Sequence, residues 1–256
     1  MDVSIKAEPI IELFGLPITN SLILGFLGYI SVLAWMLWVA HKVREDNTKK
    51  KGFFTRLAIW CFVGLYKTCK EVIPNEKACR LMAPVAISLF FYIGVQYYIE
   101  LLPFVGEAIT YNGTPVFRSP VADLSMTFAL AIVAIVFVQV IASIKHGLRG
   151  NLKRYFHNPF KDPIGSVAGL LELISEVSRL IALSMRLFGN VLAGEILIIL
   201  ASHLAGYASP ALLPFVYLFE MFIGGIQAYV FFSLTVVFSG LAVADEEKKA
   251  IAEPAN

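Results

Sequence analysis

Nine polar or charged side chains stand inside two long apolar stretches near the carboxyl end of the sequence. Glu172, Glu176, Arg179, Arg186, Asn190, Glu195 and His203 lie in the first, Glu220 and Gln227 in the second. A charge near the centre of a bilayer costs about 2.5 to 3.5 kcal/mol on insertion scales, so each requires a partner, a water-filled cavity or a function. Intramembrane Glu and Arg are the residue types of proton- and ion-coupled transport.

Helix geometry sorts these residues. At about 100° per residue, Arg186 shares a stripe with Glu172, Arg179 and Asn190, whereas Glu195 points to the opposite side, so the two cannot pair on one straight helix. Ser175, Ala182, Gly189 and Ala193 flank Arg186, and their small size admits a second helix close to the guanidinium. Glu220 and Gln227 share a face of the last helix and, in an antiparallel hairpin, join Glu195 in one polar pocket. Arg186, Glu195 and Glu220 lie between apolar turns and read as functional charges. Glu176 and Arg179, three apart, read as a helix-surface ion pair near the cytoplasmic interface. His203, beside a turn, reads as an interfacial residue. The basic residues Lys145, Arg149, Lys153 and Arg154 read as topology determinants or lipid contacts. The aromatic pairs Phe90-Phe91, Tyr97-Tyr98 and Phe231-Phe232 read as packing or interface residues.

The elements that position these groups follow from composition. The 256 residues are 58% hydrophobic and 16% charged, with net charge +2, and their mean hydropathy is +0.74. A soluble domain averages about 25% charged residues, so the sequence predicts an integral membrane protein and excludes disordered, collagenous and disulfide-scaffold classes. Nucleic-acid binding has no support in so small a charge. Cys61, Cys69 and Cys79 form an odd set without metal-ligand spacing and read as reduced and structural; no metal or cofactor is expected. The start shows no cleaved targeting sequence. Nucleotide loops and zinc motifs are absent from the sequence.

The predicted architecture is an all-α membrane domain over 1–256, with five crossings and one interfacial amphipathic helix. Residues 13–40 form a first span, 42–80 a basic cytoplasmic or interfacial segment, 81–103 a second span, 104–122 an outer loop and 123–144 a third span. A cytoplasmic basic loop, 145–163, precedes a long, strongly tilted helical hairpin over 164–244 and a cytoplasmic tail, 245–256. A continuous helix from Gly165 to His203 would be about 58 Å long, too long to stand upright in a core of about 30 Å. The distribution of Lys and Arg puts the amino terminus outside and the carboxyl terminus in the cytoplasm.

The run Ser184-Met185-Arg186-Leu187-Phe188-Gly189-Asn190-Val191-Leu192-Ala193-Gly194-Glu195 resembles the signature of subunit a of the F-type ATP synthases. The resemblance extends over nearly the whole chain. Leu16-Pro17-Ile18-Thr19-Asn20-Ser21 looks like the family's approach to its first span, Ala122-Asp123-Leu124 like the start of the helix after the outer loop, and Ile226-Gln227-Ala228-Tyr229-Val230-Phe231 like its last helix. The resemblance implies that Arg186 is the essential arginine facing a ring of c subunits, with Asn190 beside it. Glu195, Glu220, Gln227 and Asp123 would belong to a half-channel open to the outside, and Glu172 to the cytoplasmic exit. Many members place a histidine and a glutamate where this chain has Glu195 and Glu220, and an asparagine at Ser125. The implied partners are the c-ring, the peripheral-stalk b subunit, other synthase subunits and membrane lipid, in a bacterial plasma membrane. The implied function is proton translocation by the stator, without a nucleotide site of its own. The residues alone also allow a self-contained proton- or cation-coupled secondary transporter, against which stands the missing internal repeat. An intramembrane hydrolase would need a facing nucleophile and base that the sequence does not place.

Overall fold

The computed structural model describes residues 9–13, 16–45, 52–73, 75–102, 106–111, 114–117, 119–155 and 163–252. The acidic start before Pro9, the Asn112-Gly113 turn, Arg118, the end of the basic loop at 156–162 and the last four residues lie outside the described residues.

Helices dominate: α1 (Asn20–Glu45), α2 (Phe53–Val72), α3 (Glu76–Glu100), α4 (Leu124–Tyr155), α5 (Pro163–Ala205) and α6 (Ser209–Ala252). Two short antiparallel hairpins accompany them. β1 (Pro9–Leu13) pairs with β2 (Leu16–Thr19) before α1, and β3 (Gly106–Tyr111) with β4 (Thr114–Phe117) between α3 and α4. The first hairpin occupies residues that sequence reading had partly given to the first span, so that span begins at Asn20 rather than at 13. The second lies within the segment 104–122, expected as a turn-rich outer loop.

Four segments are long and apolar enough to cross a membrane: Asn20–Val43, Glu76–Glu100, Leu124–Ile144 and Gly165–Val243, the last holding parts of both α5 and α6. α2 is not among them. The helical path of α4 breaks at Gly147, whose φ of 73° favours glycine, close behind the apolar segment. α5 and α6 have 43 and 44 residues, about 64 and 66 Å at about 1.5 Å per residue, well beyond a bilayer core. The turn between them is a short 3-10 segment, Gly206–Ala208, with Gly206 at φ 50°.

The chain divides into two compact units, neither contiguous in sequence. The first comprises Met1–Trp60, Leu89–Thr127 and Met185–Phe231, the second Cys61–Ser88, Phe128–Ser184 and Phe232–Asn256. In the first, glycines let α1 meet α3 closely. The Gln96 amide fills the space beside Gly28 and donates to the Gly25 carbonyl at 3.1 Å, while Tyr29 packs edge-on to Tyr92 and Trp35 against Phe91. Asp123 caps α4 by accepting from the Ser125 amide at 3.0 Å, and its other oxygen accepts from the Ser21 hydroxyl at 2.9 Å.

The second unit is built on Cys69, Ile73, Cys79 and Met82, all essentially buried. Gly240 of α6 approaches the Val72 carbonyl closely, and Asn75 caps α3 through the amides of Lys77 and Ala78. The three cysteines are free thiols; burial, reinforced by Cys79, pushes the Cys69 thiol up to about 12.

Candidate functional site

α5 carries two unlike faces through the arginine motif. Leu183, Leu187 and Val191 are buried at 3%, 0% and 1% exposure. Ala182, Arg186, Gly189 and Ala193 are exposed. The guanidinium is therefore presented on a shallow strip of small side chains, and makes no ion pair with any described carboxylate. Sequence reading expected Arg186 to be enclosed between apolar turns; the small neighbours on its stripe leave it uncovered in the single chain.

On the other side of the motif the first unit holds a buried polar pocket. Glu220 and Gln227, seven apart on α6, are each 3% exposed. The Asn190 amide donates to Gln227 Oε1 at 2.6 Å, bridging α5 to α6. The Tyr97 hydroxyl of α3 donates to Glu220 Oε1 at 3.2 Å. Two glycines make the room. A methyl group at Gly194 would collide with the Glu220 carboxyl, and one at Gly224 would collide with the Tyr97 ring.

Glu195 is half-buried, and Glu195 and Glu220 are both close enough to act on Glu100 electrostatically. Glu100 of α3 thus has two carboxyl groups near it, one on α5 and one on α6. Glu100 and Tyr97 are absent from the expected pocket of Glu195, Glu220 and Gln227. Glu100 marks the end of the uncharged run that begins at Leu81; Tyr97 reads as a packing or interface residue. The structure corrects the latter: Tyr97 is 1% exposed and donates to Glu220. The available signal is spacing, because Gln96, Tyr97 and Glu100 recur at helical intervals on one apolar span.

The remaining expected site residues lie elsewhere. Asp123 engages both oxygens at the beginnings of α1 and α4. Glu172 is half-buried in the second unit. There Glu176 accepts from the Tyr155 hydroxyl at 3.2 Å and pairs with Arg179 at 3.8 Å, the expected i, i+3 ion pair. Arg179 also lies over the Phe238 ring, 5.0 Å from its centre, and Gln139 donates to Tyr155 at 3.0 Å. His203 is exposed near the end of α5. Among the described residues no group of three or more His, Cys, Asp or Glu side chains is arranged to hold a metal ion.

Apolar helices of membrane-spanning length that carry an exposed arginine among small side chains and a buried acid and amides define a polytopic membrane protein of the ion-moving class. The family model of the ATP synthase A chain matches residues 22–240. ATP synthase subunit a 2 of Vibrio campbellii is 28% identical over 236 residues, covering 91% of this chain and 90% of the relative. The chain belongs to the ATP synthase A chain family, and its function is proton translocation in the membrane sector of the synthase, alongside other synthase subunits. The self-contained transporter is not favoured.

Proposed function

We propose that Arg186 is the fixed charge past which a ring of c subunits turns, and that the carboxyl pocket is the half-channel on the outer side. The carrying observation is the two-faced segment of α5: Arg186 is exposed among small residues, while Glu220 and Gln227 are enclosed behind it. A ring carboxylate brought to about 4 Å from the guanidinium gains about 4 kcal/mol at an effective dielectric of about 20. That corresponds to roughly three pKa units in favour of its ionised form. Such a carboxyl releases its proton on approaching Arg186 and takes one up after leaving it.

Glu195, Glu220 and Gln227 pass protons between the outer surface and the ring, with Asn190 orienting Gln227 beside the arginine. Asp123 holds the outer rim, and Glu172 serves the cytoplasmic exit. An uninterrupted water path would short-circuit the gradient, and a cation between the two half-channels opposes it electrostatically. Partners on this reading are the c-ring and the peripheral-stalk b subunit. The location is a bacterial plasma membrane, with the amino terminus outside and the carboxyl terminus in the cytoplasm.

The test is ATP-driven proton pumping in inverted membrane vesicles. Arg186→Ala is expected to abolish pumping while the ring stays bound; pumping at near-native rate would make Arg186 a structural charge and overturn the reading.

A further inference from the structure

Two neighbouring residues grip α3 from two sides. On the α1 side the Gln96 amide, at 0% exposure, donates to the Gly25 carbonyl at 3.1 Å and occupies the space that the missing side chain of Gly28 leaves open. The Tyr92 hydroxyl, one turn earlier, donates to the same carbonyl at 3.5 Å. On the α6 side Tyr97 lies against Gly224, and its hydroxyl donates to Glu220 at 3.2 Å. Gln96 and Tyr97 are adjacent and about 100° apart around the helix, so a bond that fixes the direction of one fixes that of the other.

An amide is a costly choice for a residue that only fills space. Gln96 Oε1 is buried with no hydrogen-bond partner among the described residues, and a methionine of similar length would leave no acceptor unpaired. Apolar contacts between membrane helices favour no one rotation or height strongly, because lipid chains are as apolar as the side chains they replace. A donor that must meet one carbonyl in a two-glycine notch does favour one, as single buried polar residues fix register in helix pairs.

We propose that Gln96 is a positioning residue for Glu220: its bond to Gly25 sets the rotation and height of α3 at which the Tyr97 hydroxyl meets the carboxyl. This role rests on the reading of Glu220 as a proton carrier in the outer half-channel. Gln96 acts through Tyr97 and takes no proton itself.

The experiment is ATP-driven pumping by the whole synthase in liposomes, with ring retention checked for each variant. Gln96→Met keeps the length and removes the donor; pumping is expected to fall about threefold, inside the about fivefold that losing the Tyr97 hydroxyl costs. Gln96→Glu supplies a carboxyl of the same shape which, uncharged where it is buried, donates in place of the amide, and a near-native rate is expected. In the Tyr97→Phe background Gln96→Met is expected to leave the rate about fivefold below native, rather than the about fifteenfold of two independent losses. Gly28→Ala, whose methyl group takes the place of the amide, should reproduce the Gln96→Met loss from the α1 side. It carries the test if Gln96→Met does not retain the ring. A native rate in both Gln96→Met and Gly28→Ala, equal slowing in Gln96→Met and Gln96→Glu, or full slowing on top of Tyr97→Phe overturns the proposal. Glu220→Gln separates the two levels. A near-native rate there removes the carrier reading itself; a loss there, with Gln96→Met and Gly28→Ala native, removes only the role of Gln96.

Discussion

Two polar clusters embedded in apolar helices use nearly the same side chains differently. In the second unit Glu176 has a cation beside it: Arg179 pairs with it at 3.8 Å and Tyr155 donates at 3.2 Å. In the first unit Glu220 receives a tyrosine donor at the same 3.2 Å, and its charged neighbour is the carboxyl of Glu100. A carboxylate paired with a guanidinium serves as a tie between side chains. One surrounded by tyrosine and other carboxyls has no such tie, and changing its protonation breaks no ion pair. The difference separates an acid that ties helices together from one suited to carry protons. It does so without reference to depth in the membrane.

The largest expected effect follows from removing the carrier while keeping its shape. Glu220→Gln leaves an oxygen to accept from Tyr97 and fills the same volume beside Gly194, so the pocket should persist. Proton pumping should nevertheless fall by at least about tenfold, the loss expected of a group whose protonation is the function. Pumping assays on vesicles with intact ring binding decide this. A near-native rate would place Glu220 with Glu176 as a structural acid.

A middle-sized effect is expected from the tyrosine that orients Glu220. Tyr97→Phe removes one hydrogen bond, worth about 1 kcal/mol, and should slow pumping about fivefold. Gly224→Ala should have an effect in the same direction by another route, because its methyl group meets the rigid Tyr97 ring rather than a mobile chain end. If Tyr97→Phe is silent while Gly224→Ala is impaired, the ring acts through packing and its hydroxyl does not tune the acid.

What could be read in the sequence divides along physical lines. The helical repeat alone places Arg186 and Glu195 on opposite faces, whereas the exposure of Arg186 was not legible, because small neighbours equally admit a covering helix. The same repeat also brings Glu220 and Gln227 together, seven residues apart. Glu100 was not legible as a neighbour of the pocket because the sequence shows it only as the charge that ends an apolar run. Tyr97 was hidden because hydropathy does not separate a packed ring from one whose hydroxyl has a buried acceptor. The β3–β4 hairpin had a usable signal: Tyr111 pairs with Thr114 across Asn112-Gly113, the dipeptide that favours two-residue hairpins. Proline and glycine around it made the segment read as an irregular loop.

The smallest effect is expected in the second unit, where the comparison is most exposed to failure. Glu176→Gln breaks the ion pair but leaves an amide oxygen to accept from Tyr155, and Arg179 retains the face of Phe238. The Arg179 and Glu176 side chains keep 30% and 14% exposure. The lost pairing is therefore worth about 0 to 1 kcal/mol, and pumping should remain within about twofold of native. A slight loss of thermal stability of the assembled membrane sector is the expected signature. Should pumping instead collapse with the ring still bound, Glu176 would be a proton carrier despite its arginine. The presence of a neighbouring cation would then no longer distinguish the structural acid from the transporting one, and the network of Tyr155, Gln139 and Glu176 would join Glu172 in the proposed cytoplasmic exit.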